Sequence, residues 1–194
     1  MKIKAIILSL AVGATLLTGC GAKKAAEPAV TPAPAKTEAA TTAPAKTEAV
    51  TTASVTNTEA AFENAISSKG TWIIATLKDL TINKELVVDG EFKNGKKDAS
   101  GKELIQRKIG LYTQDEKRNV TARFTLTAPK LTFKSPMGSI EHGTFKGDLY
   151  VSGSNFQLKD ATVEGNVYFT TDEAKSTFKM DAKSKVTGVQ ELKK

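Results

Sequence analysis

The chain predicts an all-β fold, a small parallel β-solenoid that begins with a short capping helix. The segment at residues 145–151 matches residues 163–169 in residue class at every position, eighteen residues later. Apolar runs in this part of the chain are only about three residues long, and Gly, Asn, Asp or Lys separate them. In a solenoid, each coil stacks its inward side chains on the next coil, and glycines form the sharp corners. A sandwich or hairpin meander is the alternative, and it would require longer strands joined by tight turns.

The first twenty residues have the pattern of a secretory signal peptide. Lys2 and Lys4 precede an uncharged run over residues 5–17, which is shorter than the roughly 20 apolar residues of a membrane span. The run closes with Leu17-Thr18-Gly19-Cys20, which resembles the lipobox of bacterial lipoproteins. This resemblance implies removal of a signal peptide at 1–19, a diacylglyceryl group on the Cys20 thiol, and acylation of the new amino terminus, for example with palmitate. The alternative is a spare cysteine in an ordinary signal peptide or uncleaved anchor.

A lipid on Cys20 would hold the protein in the cell membrane with its folded part on the extracytoplasmic face of the envelope, because two or more acyl chains give stable anchoring. Cys20 is the only cysteine, so the chain forms no internal disulfide and no cysteine-based metal site. His142 is the only histidine, which excludes a multi-histidine zinc site. We therefore predict neither a metal nor a cofactor.

A compositional change divides the mature chain in two. Residues 20–57 consist mainly of Ala, Pro, Thr, Lys and Glu, and the sequence at 34–39 recurs at 44–49. Such a composition buries too little apolar area to offset the entropy of ordering, and predicts a disordered linker. Every aromatic residue lies at or beyond Phe62. We therefore assign residues 58–194 to the β-solenoid domain.

The elements of this domain follow in order from local patterns. Thr56 and Glu59 form a capping-box pattern that starts the capping helix, and Gly70 ends it. Alternating or apolar runs then predict short strands, while two polar stretches, 93–103 and 115–119, are expected to be loops. The predicted strands include those at 71–77, 80–82, 86–88, 105–113 and 120–128, and three later pairs, Leu131 with Phe133, Phe156 with Leu158 and Phe178 with Met180. A degenerate third copy of the repeat lies at 186–189.

The repeats Phe145-Lys146-Gly147-Asp148-Leu149 and Val163-Glu164-Gly165-Asn166-Val167 resemble rungs of the bactofilins, polymer-forming bacterial proteins. The likeness covers about residues 130 to 190. It implies a right-handed β-helix, and it implies that self-association is one of the interactions to expect. Three features depart from that family: the export signal, the capping helix and the irregular repeat length. A helix over an open end opposes end-to-end stacking, so these departures weaken the expectation of a polymer.

The sequence offers little support for catalysis. His142 lies at a predicted corner, and Glu141 beside it should point to the opposite face of a strand. Four carboxylates near corners could align across coils as a glycosidase pair would require, but the chain is short for a polysaccharide-acting enzyme. These carboxylates are Asp148, Asp160, Glu164 and Asp181. We predict no catalytic residues and rank an enzyme last.

Tyr150 and Tyr168 occupy the same position in the two repeats, and form the candidate ligand-binding site. They either stack sugars on an exposed aromatic ladder or cover a sheet face. Loss of Lys2 and Lys4 lowers the net charge from +7 to +5, which suits anionic surfaces, but no basic stripe indicates nucleic acid. We expect a non-catalytic scaffold of the cell envelope. The alternative is a module that binds carbohydrate or a cell-wall polymer.

Overall fold

The computed structural model describes residues 53–193, which belong to one compact unit. The predicted signal peptide, Cys20 and most of the predicted linker lie outside the described residues. The last residues assigned to the linker, Ala53–Thr56, form a strand that pairs in parallel with Ile73–Thr76. The folded part thus begins before residue 58, because backbone pairing orders a segment whose composition alone predicts disorder.

Eighteen short strands and two helices make up the described chain. In chain order the strands are β1 (Ala53–Thr56), β2 (Ile73–Thr76), β3 (Leu80–Thr81), β4 (Leu86–Val88), β5 (Lys93–Lys97), β6 (Glu103–Ile105), β7 (Arg107–Gly110), β8 (Tyr112–Gln114), β9 (Val120–Arg123), β10 (Thr125–Phe133), β11 (Gly138–Glu141), β12 (Thr144–Val151), β13 (Gln157–Lys159), β14 (Thr162–Glu164), β15 (Val167–Phe169), β16 (Lys179–Met180), β17 (Lys185–Val186) and β18 (Gln190–Leu192). The helices are α1 (Glu59–Ile66) and α2 (Asp172–Thr177). The prediction of a β-rich fold is confirmed.

Two parallel sheets contain most of the strands. Sheet A has the order β1-β2-β7-β11-β13-β16, and every neighbouring pair is parallel. Sheet B joins β3 and β4 to β10, then β12, then β14 and β15, and finally β17 and β18, again in parallel throughout. A tight hairpin cannot join parallel neighbours, so α1 connects β1 to β2 and most later connections pass through the other sheet.

The predicted repeat sets the register of sheet B. Phe145 pairs with Val163 and Leu149 with Val167, so equivalent positions of the two copies lie side by side. Val186 of the third copy pairs with Val163 in turn. The strand pair predicted around Phe178 is only half formed, because Phe178 caps the end of α2 and Met180 alone lies in a strand.

Two antiparallel hairpins interrupt the parallel order. β5 pairs with β6, and β8 pairs with β9 across the turn at 115–119. The first hairpin corrects the prediction of a loop over 93–103, where backbone pairing compensates for an unfavourable, lysine-rich sequence. The hairpins enlarge the spacing between paired positions from eighteen residues, as in Asp148 and Asn166, to forty-five, as in Glu85 and Lys130.

The core is a set of stacked inward rows. In sheet A, one row consists of Ile74, Ile109, Ile140 and Leu158, each paired with the next. All four are buried, as are five phenylalanines of the same hydrophobic cluster. Full burial of each such side chain contributes about 2 kcal/mol. These phenylalanines are Phe62, Phe133, Phe145, Phe156 and Phe169.

Helix α1 lies against the first strands and buries Phe62, Ala65 and Ile66. The predicted helix exists, but its boundaries differ. Thr58 rather than Thr56 is the N-cap, and its side chain accepts a hydrogen bond from the Ala61 amide at 3.2 Å. Thr56 is buried in β1, where its hydroxyl donates to the Ala75 carbonyl. The helix ends before Gly70, at the Ser67 cap.

The glycine of each repeat permits close stacking of neighbouring strands. Gly147 and Gly165 have φ of +139° and +156°, outside the usual range of other residues. A Cβ on Gly165 would overlap the carbonyl oxygen of Gly147 and lie 2.7 Å from its carbon. A Cβ on Gly147 would likewise overlap the carbonyl oxygen of Ala128. The repeat therefore retains glycine because the backbones approach each other here.

Candidate functional site

The structure brings Tyr150 and Tyr168 together on the outer side of sheet B. The two residues are register partners on β12 and β15, and their ring centroids lie 4.9 Å apart with an angle of 44° between the planes. Both side chains are partly exposed, since their neighbours Leu149, Val151 and Val167 point inward and are buried. The sequence thus identified a real aromatic pair, and its ligand remains a prediction.

Two lysines lie over these tyrosine rings. The Lys130 ammonium is 4.8 Å from the Tyr150 centroid, and the Lys193 ammonium is 4.4 Å from the Tyr168 centroid. Lys193 also donates a hydrogen bond to the Tyr150 hydroxyl at 3.3 Å, and this bond raises the pKa of Lys193. Cations favour the electron-rich face of an aromatic ring. We call these four residues the tyrosine surface, and it is basic as well as aromatic.

A second cluster lies on the outer side of sheet A. Glu141 is only 7 % exposed, and its carboxylate accepts hydrogen bonds from Lys108, Lys159 and Ser139 at 3.1, 3.2 and 3.0 Å. Burial by itself raises the pKa of Glu141, but the two ammonium groups and their hydrogen bonds outweigh burial and hold this pKa below its usual value. The carboxylate is therefore ionised at neutral pH. We call these four residues the sheet A cluster.

Tyr112 connects the sheet A cluster to His142. Lys108 lies 3.4 Å from the Tyr112 hydroxyl, and the Tyr112 ring makes an edge-on contact with His142 at 4.5 Å. His142 has a φ of +60°, consistent with the predicted corner, and its Nδ1 lies 3.1 Å from Asp160. Arg123 donates to the same Asp160 oxygen at 2.5 Å, and this hydrogen bond is the main cause of the lowered pKa of Asp160.

Three of the four corner carboxylates, Asp148, Asp160 and Asp181, link separate parts of the chain. Asp148 accepts hydrogen bonds from the backbone and side-chain nitrogens of Asn166, at 3.2 and 3.0 Å. Asp181 accepts from the Asp160 amide and from the Ser184 hydroxyl. The contacts of Asp148 with Asn166 and of Asp181 with Asp160 join positions eighteen and twenty-one residues apart, whereas the bond from Ser184 to Asp181 is local. Asp148, Asp160 and Asp181 thus accept hydrogen bonds that link separate strands and corners of the chain.

A cleft of about 200 Å³ lies between the β5–β6 hairpin and sheet A. The cleft combines amide and hydroxyl groups, one ammonium group and exposed apolar side chains. Its lining residues are Asn94, Leu104, Ile105, Gln106, Met137, Gly138, Ser139, Gln157 and Lys159. Ser139 and Lys159 belong to the sheet A cluster, so the buried carboxylate of Glu141 supports the floor of this cleft.

Sequence patterns missed both this cleft and the role of Arg107. Arg107 is fully buried, and its guanidinium donates to the carbonyls of Thr71, Ala65 and Ser67 at 2.6 to 2.8 Å. It also lies 3.9 Å above the Phe92 ring. Burial lowers the pKa of Arg107 to about 10, so the side chain stays charged. Arg107 thereby fastens the end of α1 to sheet A.

Comparison with known proteins yields no match: no family model, no curated protein and no solved structure is significantly similar to this chain. Within residues 53–193, no helix is long and apolar enough to cross a membrane. The same described residues contain no group of three or more His, Cys, Asp or Glu side chains that could hold a metal ion.

Proposed function

We propose that this protein is a lipid-anchored lipoprotein of the bacterial envelope whose folded domain is a right-handed parallel β-solenoid and serves as a non-catalytic scaffold. The observation that carries this proposal is that every strand pair within sheets A and B is parallel, from β1 to β16 in sheet A and from β3 to β18 in sheet B. A stack of this kind is rigid and exposes long, regular outer faces, as in other repeat architectures that bind partners.

The two ends of the stack favour a scaffold that remains a single protomer. At the first end, α1 packs against β1, β2 and β4. At the other end, β16 and β17 are only two residues long, and their lysines Lys179 and Lys185 are exposed. Short, lysine-rich edge strands disfavour pairing with another chain. Partners would then bind along the outer faces of the sheets.

The membrane anchor rests on Cys20 and its lipobox, which lie outside the described residues. Mass spectrometry of the full chain from a bacterial host should find cleavage after Gly19 and a diacylglyceryl group on Cys20. A Cys20→Ser variant should leave the membrane fraction, because its acyl chains are the anchor. An unmodified Cys20 in the wild-type chain, or an unchanged membrane location of the variant, would contradict the anchor.

Binding of an anionic cell-wall polymer is the second candidate function, and the tyrosine surface favours it. Tyr150 and Tyr168 offer aromatic area, and Lys130 and Lys193 supply positive charge beside it. A Tyr150→Ala, Tyr168→Ala double variant should lose retention on purified wall material and keep its circular dichroism spectrum. Equal retention of the variant and the wild type would remove this candidate and leave the scaffold proposal intact.

A further inference from the structure

We propose that the cleft between the β5–β6 hairpin and the outer face of sheet A binds a carboxylated sugar. This site is separate from the tyrosine surface, and it depends on neither the lipid anchor nor the wall-binding candidate. The two hairpins leave the chain immediately before and after β7, which ends at Gly110. One hairpin supplies a wall of the cleft, and Tyr112 of the other packs against Lys108 and over Gly110.

The wall and floor of the cleft provide hydrogen-bonding groups that suit sugar hydroxyls. Asn94 donates to Gln106 at 3.0 Å, which fixes the orientation of both amides at the wall. Gln157 lies on the floor beside Ser139, its register partner. An amide both donates and accepts hydrogen bonds, as a hydroxyl does. Three amides around one small cleft therefore match a polyhydroxylated ligand.

Apolar contacts for the carbon face of a sugar ring come from Leu104 and Met137. Both side chains line the cleft, and they are among the few large apolar residues of the domain that remain exposed, at 37 % and 39 %. Met137 also has a φ of +53°, an unfavourable backbone conformation for a residue other than glycine. The side chains of Leu104 and Met137 therefore supply apolar contact within the cleft.

Lys159 gives the cleft its preference for a carboxylate. Its ammonium group carries three donors, and Glu141 engages it at 3.2 Å while 40 % of the side chain remains exposed. Glu141 is shared with Lys108, so the sheet A cluster carries a net charge of +1. A ligand carboxylate bound at Lys159 would neutralise this net positive charge. Because Glu141 is buried and fixed by three donors, the Lys159 ammonium is positioned before a ligand arrives.

The test is calorimetric titration of the detergent-purified full chain with trigalacturonate and with its uncharged counterpart, galactotriose. Trigalacturonate should bind at least roughly tenfold more tightly, as a charge-assisted hydrogen bond predicts. A Lys159→Gln variant should lose that advantage, so that it binds trigalacturonate and galactotriose with similar affinity. A Leu104→Ala variant should weaken both sugars, because it removes apolar contact that is common to them.

Lys146→Gln is the matched control, since Lys146 is an exposed lysine on β12 of the other sheet. It should bind both sugars as the wild type does. If it loses as much trigalacturonate affinity as Lys159→Gln does, surface lysines attract the anionic sugar without specificity, and the proposed site is wrong. Absence of trigalacturonate binding, or tighter binding of triglutamate, would also overturn the proposal. If Lys159→Gln strongly lowers the melting temperature, the Leu104→Ala variant provides the test instead. Unchanged binding of both sugars to Leu104→Ala would overturn the proposed site.

Discussion

Replacing Gly165 with alanine tests how closely the backbones of the neighbouring parallel segments around Gly147 and Gly165 approach each other. The new Cβ would overlap the carbonyl oxygen of Gly147 and lie 2.7 Å from its carbonyl carbon. Both are backbone atoms, so no side-chain rotation can relieve the overlap. The φ of +156° at Gly165 adds strain for any residue that carries a Cβ.

The two effects give a magnitude for the destabilisation. A residue held in a sparsely populated backbone region costs of order 1–3 kcal/mol. Forcing extra volume into a closely packed region costs about 1–3 kcal/mol more. We therefore expect Gly165→Ala to lower the free energy of unfolding by about 4 kcal/mol. That loss is a large part of the 5–15 kcal/mol typical of a whole domain.

Urea denaturation followed by circular dichroism measures this change, and Gly95→Ala is the matched control. Gly95 also has a positive φ, +76°, but a Cβ there would meet nothing within 4 Å. The control should therefore lose only the conformational part, about 1–2 kcal/mol. If Gly165→Ala and Gly95→Ala lower the free energy of unfolding equally, the backbones at Gly147 and Gly165 do not come into close contact.

Two further substitutions test the buried charges. Glu141→Gln should lower the free energy of unfolding by about 3 kcal/mol at pH 7, because it leaves Lys108 largely buried without its ion partner. Since the folded-state pKa of Glu141 lies below its ordinary value of 4.5, this stabilisation is present above pH 4.5 and is lost as the pH falls through the folded-state pKa. A difference in the free energy of unfolding between variant and wild type that stays constant down to pH 2 would contradict the ion pair. Arg107→Met should cost more than about 3 kcal/mol, because it removes three charge-assisted hydrogen bonds. Hydrogen exchange of the α1 amides should accelerate in that variant. Unchanged protection of the Phe62 amide would argue against the role of Arg107 in fastening α1.

The sequence predicted those parts of the fold that depend on short-range repetition. The match between residues 145–151 and 163–169 correctly gave neighbours in sheet B, because a parallel register keeps equivalent positions side by side. The same match placed Tyr150 beside Tyr168. Phe62 and the helix around it were also predictable from local patterns.

Features that depend on long-range contacts were missed. β1 has a linker-like sequence and is ordered by pairing with β2. The β5–β6 hairpin has lysines where strands are usually apolar, so its composition indicated a loop. Arg107 resembles a surface residue in sequence, and its partners lie thirty-six to forty-two residues away. A signal did exist for the pair of Glu141 and Lys159, which are separated by one eighteen-residue period.

The proposed scaffold is a single β-rich domain that remains one protomer when its membrane anchor is held in a detergent micelle. Analytical ultracentrifugation of the full chain in detergent, combined with electron microscopy of the same sample, tests it most directly. One protomer per micelle and no extended assemblies are expected, because α1 packs against β1, β2 and β4 at one end of the stack and short lysine-bearing strands lie at the other. Filaments or large ordered oligomers would contradict it, and would show that the ends of the stack pair with further copies.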